Sequence, residues 1–173
     1  MERRYGVPSR ASFTIDITEK EYNRIHASQT HGRNHDVTLY IRKGDSYVVI
    51  AKPFYPAGLY RAPSGGLKPG EDFHEGIRRE VNEEAGVEIQ LDRFILRTEV
   101  DFRCVTGSIY WRSFVFTADY LNGDFEYTDH EEIAEVKLAS LSEFETFGKI
   151  MRRSDIGGLH YRAALHETVA ELI

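Results

Sequence analysis

Near the middle of the chain runs the stretch Gly65-Gly66-Leu67-Lys68-Pro69-Gly70-Glu71-Asp72-Phe73-His74-Glu75-Gly76-Ile77-Arg78-Arg79-Glu80-Val81-Asn82-Glu83-Glu84-Ala85-Gly86-Val87. Its fixed positions follow the pattern G-x5-E-x7-R-E-V-x-E-E-x-G-V. Ser64-Gly65-Gly66 and Pro69-Gly70 are breakers, so the backbone there is irregular and open to close approach. Asp72 followed by Glu75 has the form of a capping box and predicts a helix start near Asp72. Gly86 fits the left-handed residue that ends a helix. About three and a half turns lie between them.

On those turns Glu80, Glu83 and Glu84 stand at i, i+3 and i+4, so their side chains are neighbours. Like charges so placed repel by a few tenths of a kcal/mol per pair, and partial burial raises the penalty. A hard divalent cation reverses the sign, because it prefers oxygen ligands. Phe73, Ile77 and Val81 give the same helix an apolar stripe to pack. A solvated helix is the plain alternative, since Glu75–Arg79 and Arg79–Glu83 are both i,i+4 pairs of opposite charge. That alternative explains the pieces but not the joint spacing, whose seven fixed residue types coincide by chance in roughly one window in 10^8.

Gly65 to Val87 resembles the Nudix box at every fixed position, with Val81 and Val87 in its aliphatic slots. Pro63-Ser64-Gly65-Gly66 is similar to the family's Pro-Gly-Gly lead-in, with Ser64 in place of the first glycine. The turn between the glycines and Glu71 is one residue tighter than usual. The resemblance implies an α/β fold, the Nudix-type α/β/α sandwich with a mixed sheet between helices. It implies hydrolysis of a nucleoside diphosphate linked to another moiety X. It also implies Mg2+, or Mn2+, bound by Glu80, Glu83 and Glu84, with a backbone carbonyl at Ser64–Gly65 completing the inner sphere. Arg79 is expected to hold Glu80 and Glu71 in place, and Glu71 to lie near the metals. Family members differ in the general base. Glu131 or Glu132, in the acidic run Thr128-Asp129-His130-Glu131-Glu132, stands where an acid from a later loop is used.

Composition sets the bounds. At 173 residues, 41 % hydrophobic and 29 % charged, the sequence reads as one ordinary globular domain. No apolar run approaches a membrane span, and no hydrophobic segment follows Met1-Glu2-Arg3-Arg4 as in a secretory signal. A single cysteine, Cys104, excludes an intrachain disulfide and fits a reducing, cytoplasmic location. The net charge of −6 argues against a basic surface for duplex nucleic acid, yet leaves a nucleotide-type substrate open because metal ions supply charge locally.

Residues 1–35 read as an N-terminal extension packed on the main domain, which occupies 36–173. Phe13, Ile15 and Ile17 alternate as a strand, and Thr18 to Glu21 offers a capping box for a short helix reaching about Ala27. His31 to His35 is a polar connector. Val37, Leu39 and Ile41 alternate with polar partners, and Tyr47 to Ala51 follows as a neighbouring strand across Gly44-Asp45. Lys52 to Ala62 is an aromatic-rich loop. Phe94 to Arg103, Ile109 to Tyr120 and Glu132 to Leu138 read as strands, and Ser142 to Met151 and His160 to Leu172 as helices. A central helix among strands, with two late helices, suits a mixed sheet between helical layers.

Weaker features have two readings each. Phe54, Tyr55, Tyr60 and Arg61 either meet a base and phosphate or pack the loop. Trp111 and Tyr110 are sheet core or pocket wall. His26, His31 and His35 lack an acid or cysteine at ligand spacing and read as solvated. Cys104 reads as a strand residue. No G-x-S-x-G or P-loop sequence is present. Two other functions remain open on this reading: a non-catalytic nucleotide sensor, which the intact acids and Arg79 disfavour, and an isopentenyl-diphosphate-type isomerase. The extension and the last helix would serve a homodimer or a lid.

Overall fold

The computed structural model describes residues 1–29 and 32–173. In chain order its elements are α1 (Glu2–Tyr5), β1 (Ser9–Asp16), α2 (Glu19–Ser28), β2 (His35–Lys43), β3 (Ser46–Ala51), β4 (Ser64–Gly65), α3 (Phe73–Ala85), β5 (Val87–Cys104), β6 (Gly107–Gly123), β7 (Glu135–Ser140), α4 (Leu141–Arg152) and α5 (Gly157–Ala170). The strands form one mixed sheet in the order β1-β5-β6-β2-β3-β7, with β4 added to β2. β1 runs parallel to β5 and β2 parallel to β6, while the other neighbours are antiparallel.

Helices cover both faces, which is the expected α/β/α sandwich. On one face Ile77, Val81 and Ala85 of α3 pack on Val37, Leu39, Ile41, Val48, Ile50 and Phe116, and Tyr5 of α1 joins them. On the other, Phe144 and Met151 of α4 and Leu159, Tyr161 and Leu165 of α5 pack on Tyr40, Val49, Leu96 and Val100. Successive residues of β3 thus enter opposite cores, as side chains on a pleated strand must. β2 is buried on both faces. Thr38 and Tyr40, the partners that alternate with Val37, Leu39 and Ile41, are as buried as they are, because α4 and α5 cover that face.

Other differences concern lengths. The β2–β3 hairpin pairs only at Arg42–Tyr47 and Lys43–Ser46; the strands then part, β2 toward β4 and β6, β3 toward β7. β5 starts at Val87, directly after the helix stop, and register shifts near Leu91 and Phe94 bend it. β7 starts at Glu135, not Glu132, because residues 129–132 form a turn in which Asp129 Oδ1 accepts from Glu132 N–H at 3.0 Å. α1 was not foreseen: four residues carry no periodicity, and Tyr5 is held by His74 Nε2 at 2.7 Å and by the face of the core. The Thr18–Glu21 capping box forms and starts α2. His31 lies outside the described residues.

One buried group sets a pH dependence of stability. His166 of α5 bonds Tyr40 Oη through Nδ1 at 2.5 Å, and burial, reinforced by the charges of Arg162 and Arg61, holds its imidazole down at about 3. Unfolding would return it to about 6.5, so the unfolded chain takes up the extra proton. The neutral ring therefore supports the fold fully above that value, and the support fades as pH falls from about 6.5 toward 3. His166→Gln should flatten the fall in melting temperature between about pH 7.5 and pH 5. An unchanged slope would show that other groups dominate.

Candidate active site

α3 presents its acids to one side, with Asp72 Oδ1 capping the start by accepting from His74 and Glu75 N–H at 2.9 and 3.2 Å, and Gly86 ending it at φ 62°. A Cβ at Gly86 would overlap the Glu126 backbone. Arg79 organises the acids. Its Nε and Nη2 donate to the two oxygens of Glu71 at 2.7 and 2.9 Å, and its Nη1 donates to Glu80 and to Glu83, each at 2.9 Å. Arg79 is thus positioned as expected, with Glu83 as a further partner; among the described residues the Glu75–Arg79 pair does not form. The two bonds from Arg79 lower the Glu71 carboxyl to about 2. Desolvation moves Glu80 the other way, upward, against the pull of Arg79.

Glu84 lies deeper. It is 5 % exposed, Ser64 N–H donates to it at 3.2 Å, and its nearest cation is Arg61 at 3.9 Å. Burial raises its carboxyl above the ordinary value, with Arg61 and Lys52 opposing. Ser64–Gly65 is a strand as well as a lead-in: it pairs with Thr38 and Val37 of β2, which fixes it across from α3. A Cβ at Gly65 would fall 2.1 Å from Glu80 Oε2, so the missing side chain is what lets the backbone and the carboxylate meet.

The domain family described as NUDIX domain matches residues 31–155. The chain belongs to the Nudix family. Relatives are distant. NAD-capped RNA hydrolase NudC of Photobacterium profundum is 26 % identical over 107 residues, a match that covers 62 % of this chain but only 38 % of that protein. The chain therefore spans well under half the length of this relative. A Nudix hydrolase structure from Nitrosomonas europaea superposes with a TM-score of 0.56 at 20 % identity, covering 80 % of this chain and 90 % of the other. A UDP-X diphosphatase structure gives 0.51 at 16 % identity, covering 87 % and 71 %. At such identities the structural likeness speaks for the fold.

In this Nudix domain Glu80, Glu83 and Glu84 open into a cleft of about 800 Å³, which Glu71 does not line. Glu80, Glu83, Glu84, Ser64 and Gly65 line it, as do Arg79, Asp129, Glu131 and Glu132 of the acidic turn. That turn is held to α3 by Thr128 and Asp129 N–H, which donate to the Glu83 carbonyl at 3.0 and 3.1 Å. Lys52 pairs with Glu132 and holds its carboxyl below the usual range. Phe54, Tyr55 and Arg61 of the aromatic loop reach the cleft; Tyr60 turns away to bond Glu135 at 2.6 Å and pack on Phe147. Trp111 lines the wall, whereas Tyr110 is 46 % exposed on the other side of the strand. His26 stacks on Tyr22 and His35 packs on Phe114, away from any acid cluster among the described residues. Cys104 sits in β5 with its Sγ 2.8 Å from Thr106 Oγ1.

One part of the site was missed by sequence reading. Ser64 Oγ accepts from Arg61 Nη1 at 2.8 Å and from Arg162 Nη2 at 3.0 Å, and Arg162 also donates to Asp36 at 2.8 Å and Thr38 at 3.0 Å. The hydroxyl that departs from the family's glycine is therefore the anchor tying α5 to the lead-in. Its only signal was the odd residue itself.

The donor set fits a hard divalent cation: the carboxylates of Glu80, Glu83 and Glu84 line the cleft from one helix, and Gly65 has no side chain to cover the Glu80 oxygen beside it. Among the described residues no three acids, histidines or cysteines converge at ligand distance. Glu80 and Glu83 point to Arg79 and Glu84 to Ser64, as like charges do when guanidinium and amide donors are at hand.

Proposed function

We propose that this chain hydrolyses a phosphoric anhydride in nucleoside-diphosphate-type substrates, with Mg2+ or Mn2+ held by Glu80, Glu83 and Glu84. The observation that carries this reading is Glu84. It is a carboxylate buried at the cleft wall whose nearest cation stands 3.9 Å away, a charge that a divalent ion would balance. When bound, such an ion neutralises phosphate oxygens and activates water for attack at phosphorus.

The chain's own residues do the rest. Arg79 keeps Glu71, Glu80 and Glu83 from scattering. The Ser64–Gly65 segment is paired with Thr38 and Val37 and held at the Ser64 hydroxyl by Arg162, and we assign a carbonyl of this segment as a further ligand. Glu132, kept ionised by Lys52, is the acid we assign as proton acceptor, its low pKa making it a weak but always available base. Phe54, Tyr55 and Trp111 supply aromatic surface for a base.

A substrate panel tests this. It holds nucleoside triphosphates, nucleotide sugars, ADP-ribose, dinucleoside polyphosphates, NAD, capped RNA and isopentenyl diphosphate. NAD-capped ends belong there because the Photobacterium relative is named for them. The expected result is release of a nucleoside monophosphate or phosphate that requires Mg2+ and stops with chelator. Tight binding without product from any member would make the domain a sensor, and rearranged isopentenyl diphosphate would make it an isomerase.

A further inference from the structure

Every cation at the cleft wall but three is already committed. Lys52 is paired with Glu132, Arg61 with Glu84, Arg162 with Asp36 and Arg79 with three box acids. Arg24, Arg33 and Lys68 also line the cleft, and none has a carboxylate within ion-pair distance among the described residues. Arg24 and Lys68 are exposed, and Arg24 rests on the Phe54 ring at 5.0 Å. Arg33 differs from both.

It is partly buried, its guanidinium lies over Trp111 at 6.0 Å, and it presses on Gly66 so closely that a Cβ there would fall 1.7 Å from Nη1. Its Nε is buried with no hydrogen-bond partner among the described residues. The group is close enough to Glu80 for its charge to favour the ionised carboxylate. A guanidinium fixed by an aromatic ring and a glycine, and left without an anion, is costly unless a ligand supplies the anion. Its planar fork suits phosphate oxygens.

We propose that Arg33, seated on Trp111 and Gly66, is a phosphate-binding residue of the cleft: it receives a non-reacting phosphate of a nucleoside diphosphate group beside the box acids. The assignment rests on the reading of the cleft as a nucleotide site, and its test does not need turnover.

Trp111 is the single tryptophan of the chain, so its emission reports on Arg33 directly. The parent is titrated, with Mg2+ present, with α,β-methylene-ADP, inorganic pyrophosphate and adenosine. The first two should change Trp111 emission with saturation; Arg33→Gln should weaken both by about tenfold or more and leave the adenosine response alone. Arg33→Lys, which keeps charge but not the fork, should recover part of the pyrophosphate affinity. On any substrate that turns over, Arg33→Gln should raise KM and change kcat little. Parental affinity in Arg33→Gln overturns the proposal. So does equal weakening of all three ligands, adenosine included, in Arg33→Gln together with a lowered melting temperature, which would make Arg33 a packing residue of Trp111. A parent that binds through Arg33 yet hydrolyses nothing would sink the hydrolase and leave this site standing.

Discussion

Glu84→Gln should lower kcat on the best substrate by roughly 10²–10³-fold without unfolding the protein. The substitution removes one charge from the acid face and takes the 3.9 Å carboxylate from Arg61, whose guanidinium keeps its bonds to Tyr55, the Ala62 carbonyl and Ser64. Gln keeps an oxygen for Ser64 N–H, the bond Glu84 accepts at 3.2 Å, and has almost the same volume. Stability should move the opposite way to activity. Burial raises the Glu84 carboxyl, so without a cation the ionised form costs stability above its folded pKa, and the cost is relieved as pH falls through that value. Metal-free Glu84→Gln should therefore melt at or above the parent near neutral pH, with the gap closing as the pH falls toward the ordinary carboxyl value of 4.5. Mg2+ should raise the melting temperature of the parent more than that of the variant. Kinetics and thermal melts with and without chelator check all three. Parental turnover in the variant would remove Glu84 from the metal site.

Arg79→Lys should cost about 10- to 100-fold in kcat and in the Mg2+ concentration needed for half activity, the usual range for residues that hold metal ligands in place. One guanidinium makes four bonds here, two to Glu71 and one each to Glu80 and Glu83. An ammonium group carries the charge but cannot span carboxylates on both sides at once. Glu80 and Glu83 would separate, and Glu71 would lose the bonds that hold it near 2. Excess Mn2+ should restore part of the rate, since a more strongly bound cation regathers the acids. A lysine variant with parental rate and parental metal titration would reduce Arg79 to a surface ion pair.

Much of the site was legible because it is local. Helix α3 carries its own start signal, its stop, its apolar stripe and its acids within one stretch, and all of these depend on spacing along a single backbone. The pairing of Arg79 with Glu83 is likewise an i,i+4 matter. The strand ends were harder. Sequence alone starts β7 at Glu132 because acidic turns and exposed strand ends look alike in composition, and only the bonds to Asp129 and Glu83 show where the turn lies. Tyr60 and Tyr55 are five residues apart on one loop, yet one faces α4 and the other the cleft; nothing periodic in a loop tells them apart.

The box helix, the strand-rich frame around it, the family and the row of acids on α3 are all written in residue spacing along the chain. Tertiary structure alone decided which of those acids is buried, that both faces of β2 are covered, and that Ser64 is gripped by Arg61 and Arg162 from elements 98 residues apart in the case of Arg162. The physical reason is the range of the forces. Helix caps, periodicity and i,i+4 charge act within a turn or two of the chain, whereas desolvation and the partners of a buried guanidinium depend on which distant segments fold over it.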